Sequence, residues 1–143
     1  AHATDAAVVF VPRDVAAADN SEQGWTIGHV VAHLTATLEE SLAVGATLAR
    51  GVALEGRLRY ETPWEELSTV QKVQARLQES HRMSRAFLDA WPDEPHLEFT
   101  ITRIPRLGPL NAFGLSMLGI GHGQAHLAQL RDIVDQYRVA KSL

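Results

Sequence analysis

The sequence predicts an all-α four-helix bundle, and three observations carry that prediction. Apolar residues recur at helical spacing over residues 26–49, 63–90 and 111–138, and no series of alternating strands competes with them. Helix-start signals stand at the head of two of these stretches. Thr26 follows Trp25 as an N-cap, and Thr62-Pro63-Trp64-Glu65 combines a T-x-x-E capping box with proline at the first helical position. Finally, 143 residues with 45% hydrophobic content suffice for one domain, 1–143, with a real core.

Taken in order, residues 3–11 (ATDAAVVFV) read as the last turns of a first helix, stopped by Pro12. The AVVFV core is also strand-like, but nothing else in the chain offers it a partner, so helix is expected. The chain opens on Ala1 rather than methionine, which either processing or an absent segment would explain. No charged-then-apolar leader with a cleavage site is visible. Residues 13–24 end in DNSEQG, a loop by composition. In the second helix Ile27, Val30, Val31, Leu34, Leu38 and Leu42 mark the apolar stripe, and His33 flanks it in line with Val30 and Thr37. Residues 50–61, broken by Gly51 and Gly56, read as a connection. The third helix is expected to run from residue 63 to about 90, burying Leu67, Val70, Leu77, Phe87 and Leu88, with His81 and Ser84 on or near that face. Residues 92–110 hold Pro92, Pro95, Pro105 and Pro109 and read as a long ordered connection, in which LEFTITRI alternates like a short strand or hairpin. The last helix begins near Leu110 or Asn111 and reaches about Arg138. Both connections are long for tight hairpins, so at least one is expected to cross over or along the bundle.

Composition narrows the function. A net charge of −4 and a pI near 5.9 leave no nucleic-acid footprint. The absence of cysteine excludes disulfides, thiolate metal ligands and a protein thiol nucleophile. Residues 107–130 carry no Asp, Glu, Lys or Arg, yet five Gly, two His and two Gln make them too polar for a bilayer span. A cytoplasmic protein acting on a small molecule, with no nucleic-acid or membrane partner, is the expectation, and a homodimer stays open.

The chemistry centres on residues 119–134, GIGHGQAHLAQLRDIV. His122 and His126 are four residues apart, one helical turn and about 6 Å along the axis, so both imidazoles reach one point beside the helix. The same face continues through Leu115, Leu118, Ala125, Gln129, Leu130 and Ile133, which turns the histidines inward. Neutral imidazole is the commonest metal ligand, but two ligands make half a site. His33, on the inner face of another helix, is the candidate third. Burying three imidazoles without a partner would cost about 1–3 kcal/mol for each unsatisfied nitrogen. Gly119, Gly121 and Gly123 each cost about 1 kcal/mol in a helix, so something is expected to approach the backbone there, a neighbouring helix or a ligand. His29, one turn before His33, is a rim residue, a fourth ligand or an outer-shell group. Gln129, one turn beyond His126, is a candidate for holding an imidazole N–H. His81 reads as core or rim, and His2 and His96 lie in weakly structured flanks.

G-W-T-I-G-H-V-V-A-H-L at 24–34, followed by G-H-G-Q-A-H-L-A-Q-L at 121–130, resembles the DinB/YfiT superfamily. Its pattern is a tryptophan eight residues before a histidine, then HxxxHxxQ on the last helix. Trp25/His33 and His122/His126/Gln129 match it, and the 79–88 portion of the third helix is also similar. The resemblance covers about residues 3–135 and implies a four-helix bundle with a three-histidine metal site, usually zinc or nickel. It also implies kinship with small-thiol S-transferases that use bacillithiol or mycothiol, and with a mycothiol-dependent maleylpyruvate isomerase. Two features depart from the family: the first helix is short, and position 29 is histidine where glutamate is often found.

The metal ligands expected are therefore His33, His122 and His126. The leading expectation is a metal-dependent S-transferase that activates an exogenous low-molecular-weight thiol. The alternatives are a metal-dependent hydrolase and a non-catalytic, stress-related metal or small-ligand binding bundle. Arg57, Arg59, Arg103 and Arg106 lie in the two connections, where an anionic thiol cofactor would be gripped or where solvated loop arginines would sit.

Overall fold

The computed structural model describes residues 3–13 and 24–142. Among them the chain forms α1 (Asp5–Val8), α2 (Ile27–Ala49), α3 (Val70–Asp89) and α4 (Ala112–Ala140), with a small ribbon of β1 (Thr100–Ile101) and β2 (Leu110–Asn111). Strand order and register are simple: Thr100 pairs with Asn111 and Ile101 with Leu110, antiparallel. The short strand expected in LEFTITRI thus exists as Thr100–Ile101, but its partner, Leu110–Asn111, lies beyond that stretch. It delivers the chain straight into α4, whose N-cap Asn111 accepts from the Gly114 N–H at 3.0 Å.

The central element is α2. Its cap is the expected one, with the Thr26 hydroxyl accepting from the His29 N–H at 3.1 Å. Its burial is broader than a single stripe, because α3 packs along one side and α4 along another. Val30, Ala32, Thr35, Glu39, Leu42 and Ala49 are all buried, so most of the helix circumference is interior. Two apolar clusters result. One gathers Val8, Trp25, Val30, Val31, Leu67, Val73 and Ile133 around the start of α2, and the other gathers Val44, Leu48, Ala49, Ala112 and Leu115 near its end. One turn of α1, capped by Thr4, closes the first cluster with Val8, while Phe10 meets the Tyr137 ring edge-on at 5.5 Å. The strand alternative for AVVFV is excluded by that turn.

The third helix starts later than the capping box suggests. Thr62–Glu65 leads only into a 3-10 turn, Trp64–Glu66, and α3 begins at Val70 with Thr69 as its cap. The break exists because Leu67 turns in to be buried, and its carbonyl oxygen lies where a Cβ on Gly28 would be. Residue 28 must be glycine for α2 to accept that contact.

The face of α3 is also corrected. Val73, Ser80 and Ser84 are its buried residues, whereas Leu77 and Leu88 are 41% and 48% exposed and His81 lies in solvent. Packing against α2 uses a partly polar seam. Glu39 of α2, 2% exposed, receives Arg76 of α3 and Arg59 of the 50–61 connection, the latter at 3.0 Å. Burial pulls the Arg76 guanidinium below its ordinary value, which Glu79 partly opposes. The 50–61 connection runs back along α2. Leu58 and Arg59 N–H groups donate to the Glu40 carboxylate at 2.8 and 2.7 Å, and the chain then reaches His33 in the first half of the helix with Glu61. In α4, Ala125 is exposed rather than inward, while Leu115, His126 and Ile133 are buried as the pattern requires.

A candidate metal centre between α2 and α4

Between the two apolar clusters, α2 supplies His33 and α4 supplies His122 and His126. One ligand atom from each lies within 4.8 Å of the others. The approach is through Nε2: His33 to His122 at 3.0 Å and His126 to His122 at 3.1 Å. Two imidazole nitrogens bound to one ion at about 2.0–2.1 Å are separated by a little over 3 Å, so these spacings suit a common ion. The i, i+4 register of α4 fixes the His122–His126 pair, and close α2–α4 packing brings in His33. That closeness depends on Gly119, where a Cβ would fall 2.6 Å from the Ser41 Cβ. Gly121 and Gly123 have nothing within 4 Å of a Cβ position, so of the three glycines only Gly119 answers to helix packing.

The outer nitrogens are held as well. His33 Nδ1 lies 2.8 Å from Glu61 Oε1, and His126 Nδ1 lies 2.6 Å from Gln129 Oε1. Both oxygens accept, so both Nδ1 atoms donate, and in the neutral tautomer each Nε2 then presents a lone pair. These lone pairs face His122 Nε2, which has at most one proton to share. At least one lone-pair contact is left unrelieved, and a cation among the three nitrogens removes the conflict. The donor set therefore fits a divalent ion: three neutral imidazoles, two of them braced through Nδ1 as metal-binding histidines usually are.

Aromatic rings wall one side. Trp25, 3% exposed, meets His33 edge-on at 5.0 Å and stacks near His126 at 6.3 Å. His29 is not in the three-histidine group. It lies stacked between Trp25 at 4.2 Å and Trp64 at 5.0 Å. Two residues of this site escaped the sequence reading. Glu61 sat at the end of a connection with no local signal of its role, and Trp64 read as a helix residue. His96 pairs with Glu98 at 2.7 Å away from the site, and His2 lies outside the described residues. Of the four connection arginines, Arg57 and Arg103 border a cavity beside His122, Arg59 pairs with Glu39, and Arg106 is exposed in the 3-10 turn Pro105–Leu107.

Burial lowers the His122 pKa below its ordinary 6.5, and the neighbouring His126 and His33 push it the same way. Between that lowered value and 6.5 the unfolded chain binds more protons at this position than the folded one. The stability this neutral imidazole brings is complete above pH 6.5 and is lost as pH falls through the folded value. Urea unfolding of metal-free protein is therefore expected to give a lower midpoint at about pH 5.5 than at about pH 7.5, with a smaller difference in His122→Asn. Equal slopes in the two proteins would remove His122 as the cause.

Fold and site together define a helical-bundle protein whose three-histidine group can hold a divalent metal. The chain belongs to the DinB superfamily, whose family model matches residues 2–130. No curated protein and no solved structure matches it. No helix among the described residues is long and apolar enough to cross a membrane.

Proposed function

We propose that this protein is a metal-dependent S-transferase, holding zinc or nickel at His33, His122 and His126 and using a low-molecular-weight thiol as cosubstrate. The observation that carries the reading is the convergence of three Nε2 atoms, two braced through Nδ1, at the edge of an open cavity. A divalent ion with three neutral ligands supplies a Lewis acid that lowers the pKa of a thiol and favours its thiolate. The chain's own residues do the rest. Glu61 and Gln129 fix the ring orientations, Trp25 keeps water from one side, and the cavity beside His122 receives the electrophilic acceptor. With no cysteine anywhere in the sequence, the sulfur must come from outside. The reaction is cytoplasmic and concerns small molecules, not nucleic acid or membrane, and a homodimer is the assembly to look for.

Cobalt substitution tests this reading. Adding mercaptoethanol to the cobalt protein is expected to produce a sulfur-to-cobalt charge-transfer band, and thiol conjugation to an activated aryl halide should fall in His122→Ala. The thiol should ionise well below its usual value of about 8.5 in the pH profile. A spectrum indifferent to thiols, with metal-dependent ester hydrolysis instead, would make the protein a hydrolase. Indifference to both would favour a binding bundle.

A further inference from the structure

Beside the three histidines, α2, α4 and both long connections enclose a cavity of about 370 Å³, with His122 on its wall. That volume lies within the range of about 300–1,000 Å³ of small-molecule pockets. Val44, Ile104, Leu115 and Leu118 form its apolar lining. The charged lining is Glu40, Arg57 and Arg103.

These charges are incompletely matched. Glu40 uses Oε2 to receive the Leu58 and Arg59 N–H groups, while its Oε1 is buried without a hydrogen bond. One terminal nitrogen of Arg103 lies 3.5 Å from that Oε1, outside good hydrogen-bond geometry, and is itself buried without an acceptor. A guanidinium cannot shed its charge, and a buried donor without an acceptor is costly. Arg57, more exposed, stands at the mouth with its guanidinium 5.5 Å from the Tyr60 ring centre. Among the described residues, two cations against one carboxylate leave one positive charge over, which a ligand bearing a single negative charge would balance. The planar fork of arginine matches a carboxylate best, and the aliphatic walls suit a hydrocarbon body.

We propose that this cavity is a carboxylate-binding subsite for an apolar monocarboxylate substrate, with Arg103 as its anchor, Arg57 at its entrance and His122 marking the end where chemistry occurs. Its assignment to the substrate rests on the S-transferase reading, whereas the anion grip stands without it.

The test uses hexanoate and its neutral isostere hexanamide as probes, with the whole protein and binding followed by NMR shift perturbation. Hexanoate should bind at least about tenfold more tightly than hexanamide, and Arg103→Gln should remove that preference. Arg103→Lys should retain part of it, and Arg57→Gln should weaken hexanoate less and make binding less sensitive to salt. Circular dichroism checks that each variant is folded. Repeating the titration in chelator with His126→Ala separates the two readings. Arg103-dependent hexanoate binding that survives there supports the subsite even if no metal is ever found. Binding that vanishes in His126→Ala but persists in Arg103→Gln would overturn it, because the histidine site would then hold the carboxylate. Equal affinity for hexanoate and hexanamide would overturn it too.

Discussion

Replacing His126 by alanine is expected to reduce bound metal from one equivalent to under about a tenth, with the helical circular dichroism unchanged. His126 is buried and its Nε2 faces His122, so its loss leaves two ligands from two different helices. The bundle should stay folded because apolar packing on α2, not the ion, holds a domain of this size. A graded companion is Glu61→Gln. It keeps an oxygen near His33 Nδ1 but removes the carboxylate charge, and should weaken metal affinity by about 10–100-fold without abolishing it. Equilibrium dialysis with metal analysis measures both. If the triple alanine variant at 33, 122 and 126 keeps a full equivalent, the ion is bound elsewhere. His29, held between Trp25 and Trp64, is then the first residue to replace.

Glu39→Ala is expected to be the most destabilising single change outside the apolar core, costing about 3–5 kcal/mol in urea unfolding. Glu39 is 2% exposed, and its removal takes the direct carboxylate partner from the 13%-exposed Arg76 guanidinium between α2 and α3, leaving only Glu79, which already pairs with Arg82. Arg59 would lose its partner too, but at 35% exposure it can turn to water. A double change, Glu39→Leu with Arg76→Met, should recover most of the loss, since burying two apolar groups avoids the desolvation that the ion pair suffers. A loss under about 1 kcal/mol for Glu39→Ala would mean that water reaches the seam and screens the pair.

Much of the fold was legible because it rests on local periodicity. The Thr26 cap and the span of α2, the Asn111 start of α4 and the inward turn of His122 and His126 all follow from a period of 3.6 residues. Periodicity misled where the neighbour was missing. Leu77 and Leu88 fit a helical stripe, yet α3 meets α2 through Val73, Ser80, Ser84 and Arg76, and the leucines are left outside. The capping box at Thr62 predicts a helix start that does not form: Pro63 heads a single 3-10 turn with no side-chain cap, and the burial of Leu67 against Gly28 ends it there. Tertiary packing outweighed local propensity there.

By itself the sequence determined the class of protein. Helix geometry ties His122 to His126, and the tryptophan-histidine spacing around Trp25 and His33 resembles the family to which the chain belongs. Only the tertiary structure decided what surrounds those histidines. Glu61 braces His33 because the 50–61 connection turns back along α2, pinned by Glu40, and Arg103 meets Glu40 because the ribbon before α4 carries it there. Such contacts join residues far apart in the chain. Their geometry is set by how helices and connections pack, so no spacing along the sequence encodes it.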